Sequence, residues 1–234
     1  MEALTPEDFT TLRHCILFQD LDPEAVVPLL SGTIHSAPAG QFLLQEGDVV
    51  DQVALLLSGT IHASFFGTTG KEFLYQQLLP ASLVSGEIVC TPRQISPYSM
   101  YAEQNVRLWA FPWALLEDSS PLDLSLRLTL LRNLLAFVAN QNLRKYYKID
   151  ALSTRSARER ILKFLTARAI RARSLTFTIT MGREAMANYL CLNRSVLSHE
   201  LKQMEEDGLL QFRKNQFTLS PQCCPPDWSP ESDT

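Results

Sequence analysis

The chain has 234 residues, enough for two modest domains, and its 46% apolar share can fill at least one core. No apolar run is long enough to span a bilayer, and Met1 to Glu7 lacks the basic start of a secretory leader. A membrane span is therefore not expected, and the location expected is cytoplasmic. The net charge of −4 is unevenly spread: residues 1–150 hold 9 Lys and Arg against 16 Asp and Glu, residues 151–219 hold 12 against 6, and residues 220–234 hold none against 3. A basic module joined to an acidic one suits a protein that touches nucleic acid with one part only.

In chain order, residues 7–31 read as short helices, the second opened by Pro23. From about 33 to 112 short β-like runs alternate with Gly-bearing turns: 41–45, 52–57, 60–66, 72–78, 100–102 and 106–111. That texture predicts an antiparallel sandwich or barrel, with the wholly apolar Val53–Leu57 buried on both faces. Near Pro121 the apolar period changes to that of a helix, which runs to about Ile149 without Gly or Pro. Leu124, Leu128, Leu131, Leu135 and Val138 follow a 4-3-4-3 spacing, a seam able to pair with a copy of itself. Leu126, Leu130, Leu134 and Phe137 form a second apolar face that can lie on the barrel. A single helix buried inside one domain is the alternative.

Residues 148–154 read as a hinge. Beyond it come a helix over 157–169 with a basic face (Arg158, Arg160, Lys163, Arg168), a strand over 175–180, a helix over 183–189, a tight connection and a helix over 193–207. Asn193 is placed as the N-cap and Gly208 as the stop. A hairpin follows with Arg213-Lys214-Asn215 at its tip, and 221–234 reads as a Pro- and acid-rich disordered tail. The domains expected are thus 1–120, 121–150 and 151–220, with 221–234 as the tail.

Two helices joined by a turn at 190–192, with small Ala187 on the first and Leu197 and Leu201 on the second, have helix-turn-helix logic. The second helix would present Arg194, Ser195, Ser198, His199 and Lys202, with Asn193 at its start, to the major groove. Arg194 can bond guanine at O6 and N7 together, whereas Arg183, Arg213 and Lys214 suit phosphate.

The stretch TMGREAMANYLCLNRSVLSHELKQMEEDGLLQFRKNQFTLS (180–220) resembles the winged helix-turn-helix of the cyclic-AMP receptor protein / fumarate-nitrate regulator (Crp/Fnr) family. LFQDLDPEAVVPLL, PAGQFLLQEGD, ALLLSGTI and Gly86-Glu87 are similar to that family's cyclic-nucleotide-binding-like domain. The resemblance covers roughly 8–220. It implies an α+β fold: an N-terminal antiparallel β-barrel (double-stranded β-helix), a long dimerisation helix and a C-terminal winged helix-turn-helix. It also implies a homodimeric, non-enzymatic transcription regulator that reads a palindromic operator and contacts RNA polymerase. Arg194 matches the family's guanine-reading arginine. Ser195 stands where many members have Glu, and His199 where many have Arg, so the half-site sequence is expected to differ.

Nucleotide-binding members hold the cyclic phosphate with a Gly-Glu turn and a following Arg. Here Gly86-Glu87 is present, but the arginine's place reads Ser96-Pro97-Tyr98, and Arg93 lies three residues early. Cyclic AMP is therefore disfavoured, and an effector near Gly86, Glu87 and Arg93 would be another small molecule. The five cysteines (Cys15, Cys90, Cys191, Cys223, Cys224) have no zinc spacing, and an iron–sulfur sensor needs about four gathered thiolates. Haem would need an axial ligand such as His14, His35, His62 or Cys90, and no spacing selects one. Haem-based gas sensing and a nucleotide-binding signalling module that leaves DNA alone are the competing readings. An enzyme is not expected, since no P-loop, dinucleotide fingerprint, GxSxG or HExxH is present.

Overall fold

The computed structural model describes residues 3–117, 121–225 and 228. They fall into two compact units, 1–142 and 143–234.

In the first unit Thr5 and Asp8 close a capping box on α1 (Pro6–Arg13), and Asp22 caps the short α2 (Pro23–Val26). Strands β1 (Thr33–Ala37), β8 (Val106–Pro112), β3 (Gln52–Ser58) and β6 (Leu83–Val84) form one antiparallel sheet in that order. Strands β2 (Phe42–Leu44), β7 (Ser99–Ala102), β4 (Ile61–Phe66) and β5 (Glu72–Leu78) form the second. The two sheets share one core, filled by Trp109, Phe111, Leu55, Ile61 and Leu83. Strand β3 lies between β8 and β6, and its Leu55, Leu56 and Leu57 are buried as the unbroken apolar run requires.

The long helix α4 (Leu124–Ser153) opens where Asp123 Oδ2 accepts from the Ser125 and Leu126 amides. Leu130, Leu134 and Phe137 are buried in the barrel core, with Leu126 partly so. Buried Asn133 fixes the register: its Nδ2 donates to the Leu17 carbonyl at 2.9 Å and to that of Gln19 at 2.7 Å. The five seam residues do not share one environment. Leu124, Leu128 and Leu135 stand exposed, while Leu131 and Val138 turn partly into the barrel core. The seam is therefore narrower than the spacing implies, because the helix drifts relative to a seven-residue repeat.

The expected hinge at 148–154 is helical as far as Ser153; the break lies at 154–156, where Ser156 caps the next helix. That helix, α5 (Ala157–Ala172), belongs to the second unit with a sheet of β10 (Leu210–Arg213), β11 (Gln216–Leu219) and β9 (Thr176–Thr178), in that order. Helices α6 (Arg183–Tyr189) and α7 (Arg194–Glu206) complete it around Ile161, Leu165, Met186, Leu197, Leu201 and Phe217. The tail does not begin loose at 221. Pro221–Cys223 forms a helical turn, Thr166 Oγ1 donates to the Cys223 carbonyl at 3.0 Å, and Cys224 packs against the core. Residues 226, 227 and 229–234 of the expected tail lie outside the described residues.

Candidate nucleic-acid interface and sensor barrel

Two helix ends shape the helix-turn-helix. Cys191, at φ 53°, takes the left-handed position after α6. Its amide donates to the Asn188 carbonyl and that of Leu192 to the Ala187 carbonyl, the Schellman pattern. Gly208, at φ 70°, ends α7 in the same way, with the Leu209 amide on the Met204 carbonyl. Arg160 holds the turn from below: Nη1 donates to the Leu190 carbonyl at 3.0 Å, and Nη2 to that of Thr154 at 2.9 Å. Arg160 on the basic face of α5 is thus engaged with backbone carbonyls, one six and one thirty positions away.

On α7, Leu197, Leu201 and Met204 are fully buried. Asn193, Arg194, Ser195, Ser198, His199 and Lys202 are exposed on the same helix or at its start. Asn193 holds the N-cap position, but its side chain caps nothing. Val196, 38% exposed in the same row, escaped the sequence reading, which sought polar groups; an apolar side chain there can meet a thymine methyl. Arg194 lies 3.9 Å from Glu184, and both side chains are about two-thirds exposed, a weak pair that a guanine edge can displace.

Exposed Arg213 and Lys214 lie in the β10–β11 turn, Lys214 in the left-handed region at φ 54°. Arg183 does not stand free beside them. It is half-buried, its Nη2 donates to the Lys214 carbonyl at 2.7 Å, and its guanidinium lies over Phe212 and Phe217 at 5.2 and 5.1 Å. A group held in this way positions the hairpin tip rather than offering all its donors to phosphate. The basic face of α5 is also engaged within the unit: Arg158 pairs with Asp207, Lys163 with Asp150 at 2.9 Å, and Arg168 lies over Phe164. The exposed cations on the helix-turn-helix and hairpin are thus Arg194, Lys202, Arg213 and Lys214.

In the barrel, the residues expected around a phosphate are not brought together as a cradle. Gly86 begins α3 (Gly86–Val89) and is buried beneath Phe137; a Cβ there would meet the ring Cε1 at 2.8 Å. Glu87 accepts from the Tyr98 hydroxyl at 2.8 Å. Tyr98 is buried, its ring tilted against that of Tyr75 with centroids 5.1 Å apart, and burial beside Glu87 raises its phenol far above the ordinary range. Arg93 is exposed in the following loop. The group that nucleotide-binding members hold with a Gly-Glu turn and an arginine therefore does not fit these residues. Of the haem-ligand candidates, His62 has both ring nitrogens engaged, by Tyr101 and Gln77, and His35 Nε2 lies 2.9 Å from the Thr33 hydroxyl. His14 and Cys90 are exposed.

Comparison with known proteins agrees with this architecture. Residues 34–118 match the cyclic nucleotide-binding domain and residues 159–220 the Crp-like helix-turn-helix domain. The chain belongs to the Crp/Fnr family of transcription regulators. It is 26% identical over 187 residues to an anaerobic regulatory protein of Pasteurella multocida, a match spanning 77% of this chain and 66% of that protein, just under two thirds. It is 27% identical to the transcriptional activator protein Anr of Pseudomonas protegens, over 73% of this chain and 70% of the other. The fold is shared with FixK2 from Bradyrhizobium japonicum, with a TM-score of 0.64 at 19% identity over 82% of this chain and 94% of that one. Among the described residues no helix is long and apolar enough to cross a membrane.

Proposed function

We propose that this Crp/Fnr member is a homodimeric, cytoplasmic, non-enzymatic regulator that reads an inverted-repeat operator and contacts RNA polymerase. The observation that carries the reading is the two-sided character of α7. Its underside is fully buried, so the helix is fixed, and its outer row offers Arg194, Ser195, Val196, Ser198, His199 and Lys202. Arg194 supplies bidentate guanine readout, Ser195, Ser198 and His199 bond base edges or phosphate, and Arg213 and Lys214 add sequence-independent affinity. In a dimer the two α7 helices meet half-sites one turn of DNA apart, roughly 34 Å. A signal at the barrel acts through the contact of Gly86 with Phe137, shifting a balance between DNA-competent and incompetent states.

Selection of bound DNA from a random pool tests the reading. The wild type is expected to enrich an inverted repeat. Arg194→Ala should lose discrimination at one guanine per half-site, by about 1–3 kcal/mol, or roughly 5- to 150-fold. A pool that stays random for the wild type, with and without effectors, would sink the proposal.

A further inference from the structure

Although Gly86, Glu87 and Arg93 form no phosphate cradle, the barrel holds a cavity of about 380 Å³. It is lined by residues of β1 and β2, by residues 49–52 and by the end of β6 with Ser85. The volume is that of a small-molecule pocket, roughly 300–1,000 Å³. Leu44, Val50, Ala54, Val84 and Leu108 give the lining a slight apolar majority over polar groups such as His35, Gln41, Gln52 and Ser85. Its titratable lining groups are Asp51 and His35, and no Lys or Arg is among its described lining residues. An anion entering would face that carboxylate without the permanent positive charge of a Lys or Arg to offset its own desolvation.

Ser85 sets the chemistry of the floor. It is 5% exposed and lies in the left-handed region, φ 59° and ψ 17°, which is uncommon for a non-glycine residue. Among the described residues its hydroxyl donates to the Met100 sulfur, at 3.7 Å, and a thioether is a weak acceptor. A buried hydroxyl so placed is short of a good partner. The next residue is Gly86, on which the Phe137 ring of α4 rests, so the floor is one peptide from the long helix.

We propose that this cavity, rather than the Gly-Glu turn, is the effector site of the barrel, and that it takes a small, uncharged, largely apolar ligand with one polar group set against Ser85. Its role as an effector site rests on the regulator reading; its binding chemistry does not.

The test titrates the full-length protein, without DNA, with the uncharged fluorophore N-phenyl-1-naphthylamine, and separately adds cyclic AMP as competitor. Saturable binding of one probe per chain is expected, undisturbed by cyclic AMP. Ser36→Trp, at an exposed lining position of β1, and Ala54→Phe, inside the cavity, should each weaken it at least tenfold with the far-UV spectrum unchanged. Leu128→Glu, on the exposed stripe of α4, should leave it within twofold. Unchanged binding in Ser36→Trp and Ala54→Phe, loss in Leu128→Glu alone, or displacement by cyclic AMP would each overturn the proposal. Should Ala54→Phe fail to fold, Ser36→Trp decides. DNA selection separates the two ideas: an operator without probe binding removes only the cavity proposal, and probe binding without an operator removes only the regulator reading.

Discussion

His62 sits on β4 at 5% exposure, with Nδ1 3.1 Å from the Tyr101 hydroxyl and Nε2 3.3 Å from the Gln77 amide nitrogen. Tyr101 in turn donates to Glu72, which also accepts from Ser64. With the Gln77 amide donating, Nε2 accepts and Nδ1 donates, which is the neutral imidazole. Burial lowers the pKa of His62 below its usual 6.5, although the charges of Glu103 and Glu72 pull the other way. In the unfolded chain the ring takes up a proton near 6.5 and in the fold it resists, so its contribution is intact above that pH and is lost as pH falls below it. His62→Gln should flatten the loss of stability on acidification below pH 6.5, measured by urea unfolding at stepped pH. Parallel loss in variant and wild type would remove His62 as the cause. Cys191 shows what a sequence discloses at this scale: its place in the turn was legible, because Gly is usual there, and its φ of 53° is the conformation a Gly would take. The engagement of Arg183 and Arg160 was not legible, because their partners are backbone carbonyls and rings, most of them about thirty positions away.

Elements with strong apolar periodicity were legible, and elements made by their partners were not. The barrel-facing stripe of α4 and the run Val53–Leu57 follow directly from spacing. Strand β1 escaped because Thr33-Ile34-His35-Ser36-Ala37 has exposed polar positions and gains its order by pairing with β8. Strand β6 has two residues, too few for any period. Gly86 was read as part of a phosphate turn, yet its missing Cβ serves the packing of Phe137, 51 positions later. Gly86→Ala tests this directly. Phe137 is 7% exposed and Leu134 lies behind it, so the ring has little room, and overpacking of this kind costs about 1–3 kcal/mol. Denaturant midpoints should show that loss in Gly86→Ala and recovery of part of it in Gly86→Ala with Phe137→Leu, which trades ring for a smaller group. Equal stability of wild type and Gly86→Ala would mean that the helix does not depend on the close approach.

At the scale of the molecule, α4 leaves an apolar surface unanswered. Leu124, Leu128 and Leu135 are 57%, 56% and 68% exposed, and Leu143 and Ile149 further along are 57% and 66%. Single exposed leucines need no explanation, but a row of them on one helix marks an interaction face. A second copy of the chain suits it, since a two-fold axis along the helix brings like residues together and needs no other partner. Leu128→Glu with Leu135→Glu places carboxylates in that face without touching Leu130, Leu134 or Phe137, which hold the helix to the barrel. Each unit should keep its fold, since neither substitution reaches the buried core, and the chain should lose only the stability that pairing adds. Sedimentation should then report a monomer. Affinity for an inverted repeat should fall by about a hundredfold or more, because the second half-site is no longer bound at the high effective concentration that the dimer provides, while affinity for an isolated half-site stays unchanged. A double variant that sediments as the wild type would place the dimer contact elsewhere. One that turns monomeric yet binds the full operator undiminished would show that the two half-sites are read independently.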